Sequence, residues 1–361
     1  MVTTSHIKFT DRHAAPAGDS DTPGIYRCAT VPHCATARKV GHGADFAISS
    51  FELDGMNYVD IVSYGSGEEG QQFRKTGRVQ HYFPASCLSF APSSAPNGGS
   101  NLLMTGSDHV RIWNLRKNHL VGLLAHRHNN SSDSCAPVTG LEWSTVDPSL
   151  AVSCDLHGFL YHWDMNTSLM KGQPVQFEGP LYDAKLNNSP DVLGVLSTTD
   201  LLLMDMRSGN REVHQTPLRA GLFAAEQSHS PGKMCWHKSG NTIAITWYDG
   251  GFTQYDMRNL QTSIVRSAAQ DEVLSDMAFH PSNPDYVLAS TERGYLHAWH
   301  CADDSAPSPK MTSRAQTVYN LKVGGSSILA PVPGPVQAGQ ARLARPGQAG
   351  QAKRRPARPG Q

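Results

Sequence analysis

The chain has 361 residues, 39% of them apolar and 17% charged, enough to bury one large core or two ordinary ones and unlike the balance of a disordered or fibrous chain. Lys and Arg together number 31 and so do Asp and Glu, but six of the bases and no acid fall in Gln337–Gln361, leaving 25 bases against 31 acids in Met1–Val336. A mildly acidic body argues against a surface devoted to nucleic acid, and no run of about 18 apolar residues occurs that would serve as a membrane-spanning helix.

In chain order, residues 1–23 are polar, small and aperiodic, and read as a disordered leader without the apolar core of a signal peptide. Residues 24–330 have the texture of a folded domain. A short strand is expected around Ile25–Thr30, then Asp45–Leu53 and Tyr58–Ser63 flank an Asp54-Gly55 turn, a dipeptide favoured in tight hairpins. Residues 331–361 are rich in Pro, Gly, Gln and Ala with scattered bases, and read as a disordered basic tail.

Between these ends one design recurs five times. The stretch Val138–Met165 shows it most clearly: an alternating strand to Trp143, an Asp147-Pro148 turn, an apolar strand Leu150–Ser153, a tight turn at Asp155–Gly158 and a strand ending in Trp163-Asp164. The strands that close each unit align on Trp113, Trp163, Met204, Tyr255 and Trp299, separated by 50, 41, 51 and 44 residues. Asp108, Asp155, Asp200 and Asp249, with Glu292 as a substitute, fall in the turn before that strand, where a carboxylate can accept local hydrogen bonds. This spacing, with four short strands per unit and a terminal Trp-Asp, is that of a WD40 β-propeller. An irregular first blade from Asp45 to Phe83 makes six, and Gln316–Ala330 begins an incomplete seventh, so a seven-bladed all-β ring is the expectation.

No catalytic motif is present: the sequence lacks H-E-x-x-H, G-x-S-x-G and a phosphate-cradling glycine loop. His126-Arg127-His128 invites a metal reading, but a solvated polar loop is the better reading because no further ligand lies nearby in sequence. Neither a cofactor nor a small-molecule substrate is expected. Seven cysteines, scattered and without a C-x-x-C pair, read as reduced thiols of a cytoplasmic and nuclear protein. Trp113, Trp163 and Trp299 read as packing between blades. Two Asp-x-Arg steps, Asp205 to Arg207 and Asp256 to Arg258, each follow a closing strand. There the guanidinium either pairs only with its own Asp or points off the disc toward a partner's acids. Ser189-Pro190, Ser230-Pro231 and Ser308-Pro309 match proline-directed kinase sites, although most such dipeptides are simply turns.

Phe46–Leu53, Tyr58–Ser63, Gln80–Pro84, Leu102–Trp113 and above all Cys135–Pro148 followed by Ser153–Trp163 resemble, in this order, the Transparent Testa Glabra family of plant WD-repeat regulators and its animal counterpart, a cullin-ligase-associated WD-repeat adaptor. The resemblance implies a non-catalytic scaffold whose partners are other proteins: bHLH and MYB transcription regulators in plants, and protein kinases with a cullin–RING ligase adaptor in animals. It further implies that Asp256 and Arg258, preceded by Tyr255, and less closely Asp205 and Arg207, meet that ligase adaptor. Alternatives are a substrate receptor of a cullin–RING ligase, and an RNA-associated protein that touches nucleic acid only through the basic tail.

Overall fold

A computed structural model describes residues 32–52, 55–67, 70–96, 99–126, 136–189, 191–208, 211–217, 231–248, 250–267, 273–280, 283, 285–291, 295–300 and 316–322. The leader, the Ile25–Thr30 strand, Asp54, His128, Cys135, Asp249, Glu292, Ser230, Ser308 and the tail lie outside them. The described chain forms six consecutive antiparallel sheets. Blade 1 is β1 (Pro32–Val40), β2 (Gly43–Ser50), β3 (Asn57–Gly67) and β4 (Gly70–His81); blade 2 is β5 (Cys87–Phe90), β6 (Leu102–Gly106), β7 (Val110–Asn114) and β8 (His119–Leu124). Blade 3 is β9 (Val138–Trp143), β10 (Leu150–Asp155) and β11 (Phe159–Asp164), with an outer strand split into β12 (Leu169–Met170) and β13 (Val175–Gln176), both paired to β11. Blade 4 is β14 (Leu181–Leu186), β15 (Val192–Ser197), β16 (Asp200–Asp205) and β17 (Arg211–Pro217); blade 5 is β18 (Pro231–Trp236), β19 (Thr242–Trp247), β20 (Gly251–Asp256) and β21 (Asn259–Ser267). Blade 6 is β22 (Leu274–Phe279), β23 (Tyr286–Thr291), β24 (Tyr295–His300) and β25 (Gln316–Lys322). Among the described residues there is no α-helix, only the single 3-10 turns Gly99–Asn101 and Met206–Ser208.

Two expectations are corrected. Six blades are described, not seven: Gln316–Lys322 pairs with β24 and completes the sixth blade. The first blade is a full sheet that begins at Pro32, with β1 as its innermost strand. The physical reason is shared. Repeats are recognised through strands packed on both faces, whereas outermost strands and the polar run of β1 carry no strong alternation.

The first strands β1, β5, β9, β14, β18 and β22 stand side by side in that order around the centre. Apolar side chains are buried between blades rather than within them. Trp113 joins Ala47, Val59 and Ile61 of blade 1 to Leu103 of blade 2. Trp163 and Tyr161 of blade 3 pack on Met104 and Ile112 of blade 2. Met204 does the same between blades 3 and 4, Tyr255 between blades 4 and 5, and Phe252 and Met277 meet between blades 5 and 6. Each fully buried large aliphatic or Phe side chain contributes about 1.5–3 kcal/mol. Thus Trp113, Trp163, Met204 and Tyr255 are interblade packing residues; the Trp299 side chain lies outside the described residues. Among the described residues no comparable cluster joins blade 6 to blade 1.

Polar stitches run between neighbouring blades, at or beside their innermost strands. Thr139 Oγ1 donates to the Leu181 carbonyl at 2.7 Å, Asp183 accepts from the Met234 N–H at 3.1 Å, and Ser49 Oγ donates to the Ala85 carbonyl at 2.9 Å. Gly140 makes the closest approach possible: a Cβ there would stand 2.6 Å from the Ala184 nitrogen and 2.8 Å from Cys154 Sγ. Since backbone cannot yield as a flexible side chain does, Gly140→Ala is expected to cost about 1–3 kcal/mol as overpacking. Calorimetry should show a clearly lowered Tm, whereas Gly172→Ala, with nothing within 4 Å of its Cβ, loses only the smaller backbone term of its φ of +81°.

Candidate protein-interaction face

Two buried triplets hold the upper ends of blades 2 and 3. His126, expected in a solvated loop, is 3% exposed. Its Nε2 lies 2.8 Å from Ser153 Oγ, its Nδ1 lies 3.1 Å from Asp155 Oδ2, and Trp163 Nε1 donates to Ser153 Oγ at 2.8 Å. The geometry accommodates a Ser153 hydroxyl that accepts from Trp163 and donates to Nε2, with Nδ1–H donating to Asp155. The solvated-loop reading of this histidine is therefore replaced by a buried, structural one. Asp155 also accepts the His157 and Phe159 N–H groups through Oδ1, at 3.0 and 3.1 Å, and so forms the turn expected of it.

Blade 2 repeats the device with His81. Its Nε2 lies 2.8 Å from Thr105 Oγ1, which accepts from Trp113 Nε1 at 2.9 Å. Asp108 faces elsewhere, bound to Arg111 and Ser107. Burial would raise its carboxyl, but these partners outweigh burial and hold it well below the usual carboxylate range. The Asp200 carboxylate accepts the Thr199 hydroxyl, while Ser197 Oγ accepts the Asp200 N–H and shapes that turn. His81, Thr105 and Ser153 escaped the sequence reading because a histidine at the end of an outer strand has no fixed spacing to the Trp it serves.

The motif around Cys135–Pro148 has a packing explanation. Ala136, Val138, Leu141 and Trp143 are buried, Thr139 and Gly140 meet blade 4, and Glu142 accepts the Leu186 N–H. Trp143 Nε1 donates to the Pro148 carbonyl at 2.9 Å, which fixes the Asp147-Pro148 turn.

The ring centre carries charge in compensating sets. Lys233 of blade 5 reaches past blade 4 to donate its ammonium to the Thr139 carbonyl of blade 3. Burial alone would lower Lys185, but Asp183, Glu142 and Asp276 outweigh it and raise its pKa. Burial pushes Glu142 up to about 7 against the opposing pull of Lys185 and the Leu186 N–H. Burial raises the Asp276 carboxyl against the opposing pull of Lys185 and Lys233. No group of three or more His, Cys, Asp or Glu among the described residues is arranged to hold a metal ion.

The antiparallel meander puts the first-to-second and third-to-fourth strand turns of every blade on one side of the disc. There the third strand ends in an acid or amide whose side chain accepts the N–H two residues on: Asn114 to Arg116 at 3.1 Å, Asp164 to Asn166 at 2.9 Å, Asp205 to Arg207 at 2.8 Å and Asp256 to Arg258 at 2.9 Å. In blades 4 and 5 the guanidinium then folds back on its own Asp, with Arg207 Nη2 2.8 Å from Asp205 Oδ2 and Arg258 Nη2 2.6 Å from Asp256 Oδ2. The side chains of Arg207 and Arg258 nonetheless remain 70% and 69% exposed. Both pairings thus coexist with a presented cation, on neighbouring blades and on the same side.

Six side-by-side blades, interblade cores and His–Ser/Thr–Trp triplets define a WD40-like β-propeller. No family model matches the chain. The DDB1- and CUL4-associated factor 7 homolog of Dictyostelium discoideum is 26% identical to it over 204 residues, 55% of this chain and 59% of that protein, so the chain spans less than two thirds of the curated relative it matches. Among solved structures, the β-propeller domain of Myceliophteria thermophila Cps50 (Swd1) aligns with a TM-score of 0.51 at 17% identity, covering 66% of this chain and 72% of that one, a likeness of fold.

The buried imidazoles make stability depend on pH. Burial, aided by Arg111, lowers His81 to about 4; burial also lowers His33, with Lys233 adding, and His162, with Lys171 adding, to about 4. Between the unfolded value of 6.5 and about 4 the unfolded chain binds protons that the native state refuses. Their contribution is therefore full above pH 6.5 and declines as pH falls through this window, by up to about 3 kcal/mol per histidine. Thermal midpoints measured from pH 7.5 to 4 should fall steeply below 6.5, and His81→Gln should show a shallower decline.

Proposed function

We propose that this protein is a non-catalytic propeller scaffold that assembles regulatory protein complexes, and that the side bearing Asp205, Arg207, Asp256 and Arg258 receives a cullin–RING ligase adaptor of the DDB1 type. The observation that carries the reading is the pair of exposed Asp–Arg forks set in the same turn of adjacent blades. A planar guanidinium already held in orientation by its own carboxylate loses little freedom on meeting a partner's acid or carbonyl, so such a group binds at low entropic cost. The Dictyostelium relative, whose name associates it with DDB1 and CUL4, supports the same choice. Protein kinases or transcription regulators are the clients, held elsewhere on the disc in cytoplasm and nucleus. The scaffold acts by raising the effective concentration of one bound protein near another.

The test is retention of purified DDB1 by the full chain. Arg258→Ala is expected to weaken it at least tenfold, Arg207→Ala less, and the double variant to abolish it, all with unchanged Tm because both side chains are exposed. Retention by the double variant at the level of the unsubstituted protein would overturn the adaptor reading.

A further inference from the structure

Of the three Ser-Pro steps, Ser189-Pro190 is the one whose serine is described and exposed; Pro231 of the second is buried in β18. Ser189 lies in the β14–β15 turn, on the same side of the disc as the Asp–Arg forks. The turn is lightly closed: the Val192 N–H reaches the Ser189 carbonyl at 3.4 Å and the Ser189 N–H reaches Asn187 Oδ1 at 3.4 Å, both at the limit of a hydrogen bond. Two basic residues are anchored next to the chain neighbours of Ser189. Within blade 4 the Met206 N–H donates to the Asp191 carbonyl at 2.8 Å, and Arg207 Nη1 lies 3.9 Å from Asp191 Oδ2. Asp191 is two residues from Ser189, at most about 7 Å along the chain. Toward blade 5, Asn188 Nδ2 donates to the His237 and Lys238 carbonyls at 3.3 and 2.6 Å, which anchors the backbone of exposed Lys238 beside the residue preceding the serine.

We propose that Ser189 is a phosphorylation site for a proline-directed Ser/Thr protein kinase and that its phosphate captures Arg207 from Asp205, with Lys238 as the second cation. In the transfer the Ser189 hydroxyl oxygen bonds to the γ-phosphorus of ATP, the bond from that phosphorus to the bridging oxygen of ADP breaks, and the hydroxyl proton passes to the kinase's base. The phosphoserine carries about −1.5 to −2 charge and three strong acceptor oxygens, against the single charge of Asp205. The exposed guanidinium therefore exchanges Asp205 for the phosphate. One fork of the partner face is dismantled while Asp256–Arg258 is left intact. The modification stands without the adaptor reading; its effect on DDB1 rests on that reading.

The full chain is incubated with ATP and a cyclin-dependent kinase and mapped by mass spectrometry. Phosphate on Ser189, absent in Ser189→Ala, is expected; modification of a control Ser-Pro peptide with none on Ser189 overturns the proposal. In the phosphorylated protein, 31P NMR titration should give a second phosphate pKa below the usual value of about 6, returning toward it in Arg207→Ala. An identical titration in both proteins overturns capture by Arg207. Neither readout involves a ligase subunit, so a failure of the adaptor reading leaves them unaffected. In DDB1 retention, phosphorylation should weaken binding no further once Arg207→Ala is present.

Discussion

A four-stranded sheet of six-residue strands has two faces and no third layer to cover either, and everything else in this molecule answers that constraint. Each blade borrows its neighbour as the missing layer, so the third-strand positions Trp113, Trp163, Met204 and Tyr255 are buried against the blade before them. The requirement reaches down to single atoms. Gly140 has no side chain because Ala184 and Cys154 occupy the space, and Thr139 supplies the hydrogen bond that the same approach makes available. A residue that looks like part of a recognition motif is here a condition of two inner strands standing side by side.

The same constraint separates structure from function. With the faces of the blades consumed by packing, what remains for partners is the turns. Charged residues on the turn side, such as Arg207 and Arg258, are presented to solvent. Those that point inward, such as Glu142, Lys185 and Lys233, are matched to one another and to backbone groups. These inward groups tie neighbouring blades together through charge pairing and hydrogen bonds to backbone.

Blades 2 to 6 were legible because each has an apolar second strand, and the closing residue of the third strand marks their period. Asp155 and the two Asp-x-Arg turns were legible for a local reason, since a carboxylate two residues before the N–H it accepts is a sequence pattern in itself. His81 and His126 were not, because they meet Thr105 and Ser153 only through sheet register and a connection of variable length. The blade count went astray on β1 and β25. An inner strand reading PHCATARKV and an outer strand reading QTVYNLK have too little alternation to announce which sheet they join.

Lys233 has a mechanical consequence beyond its electrostatics. By tying blade 5 to the Thr139 carbonyl, it spans blade 4 as a chord spans an arc, so blades 3, 4 and 5 resist radial displacement as one stiff segment. The Asp–Arg forks of blades 4 and 5 are thereby carried on that braced segment.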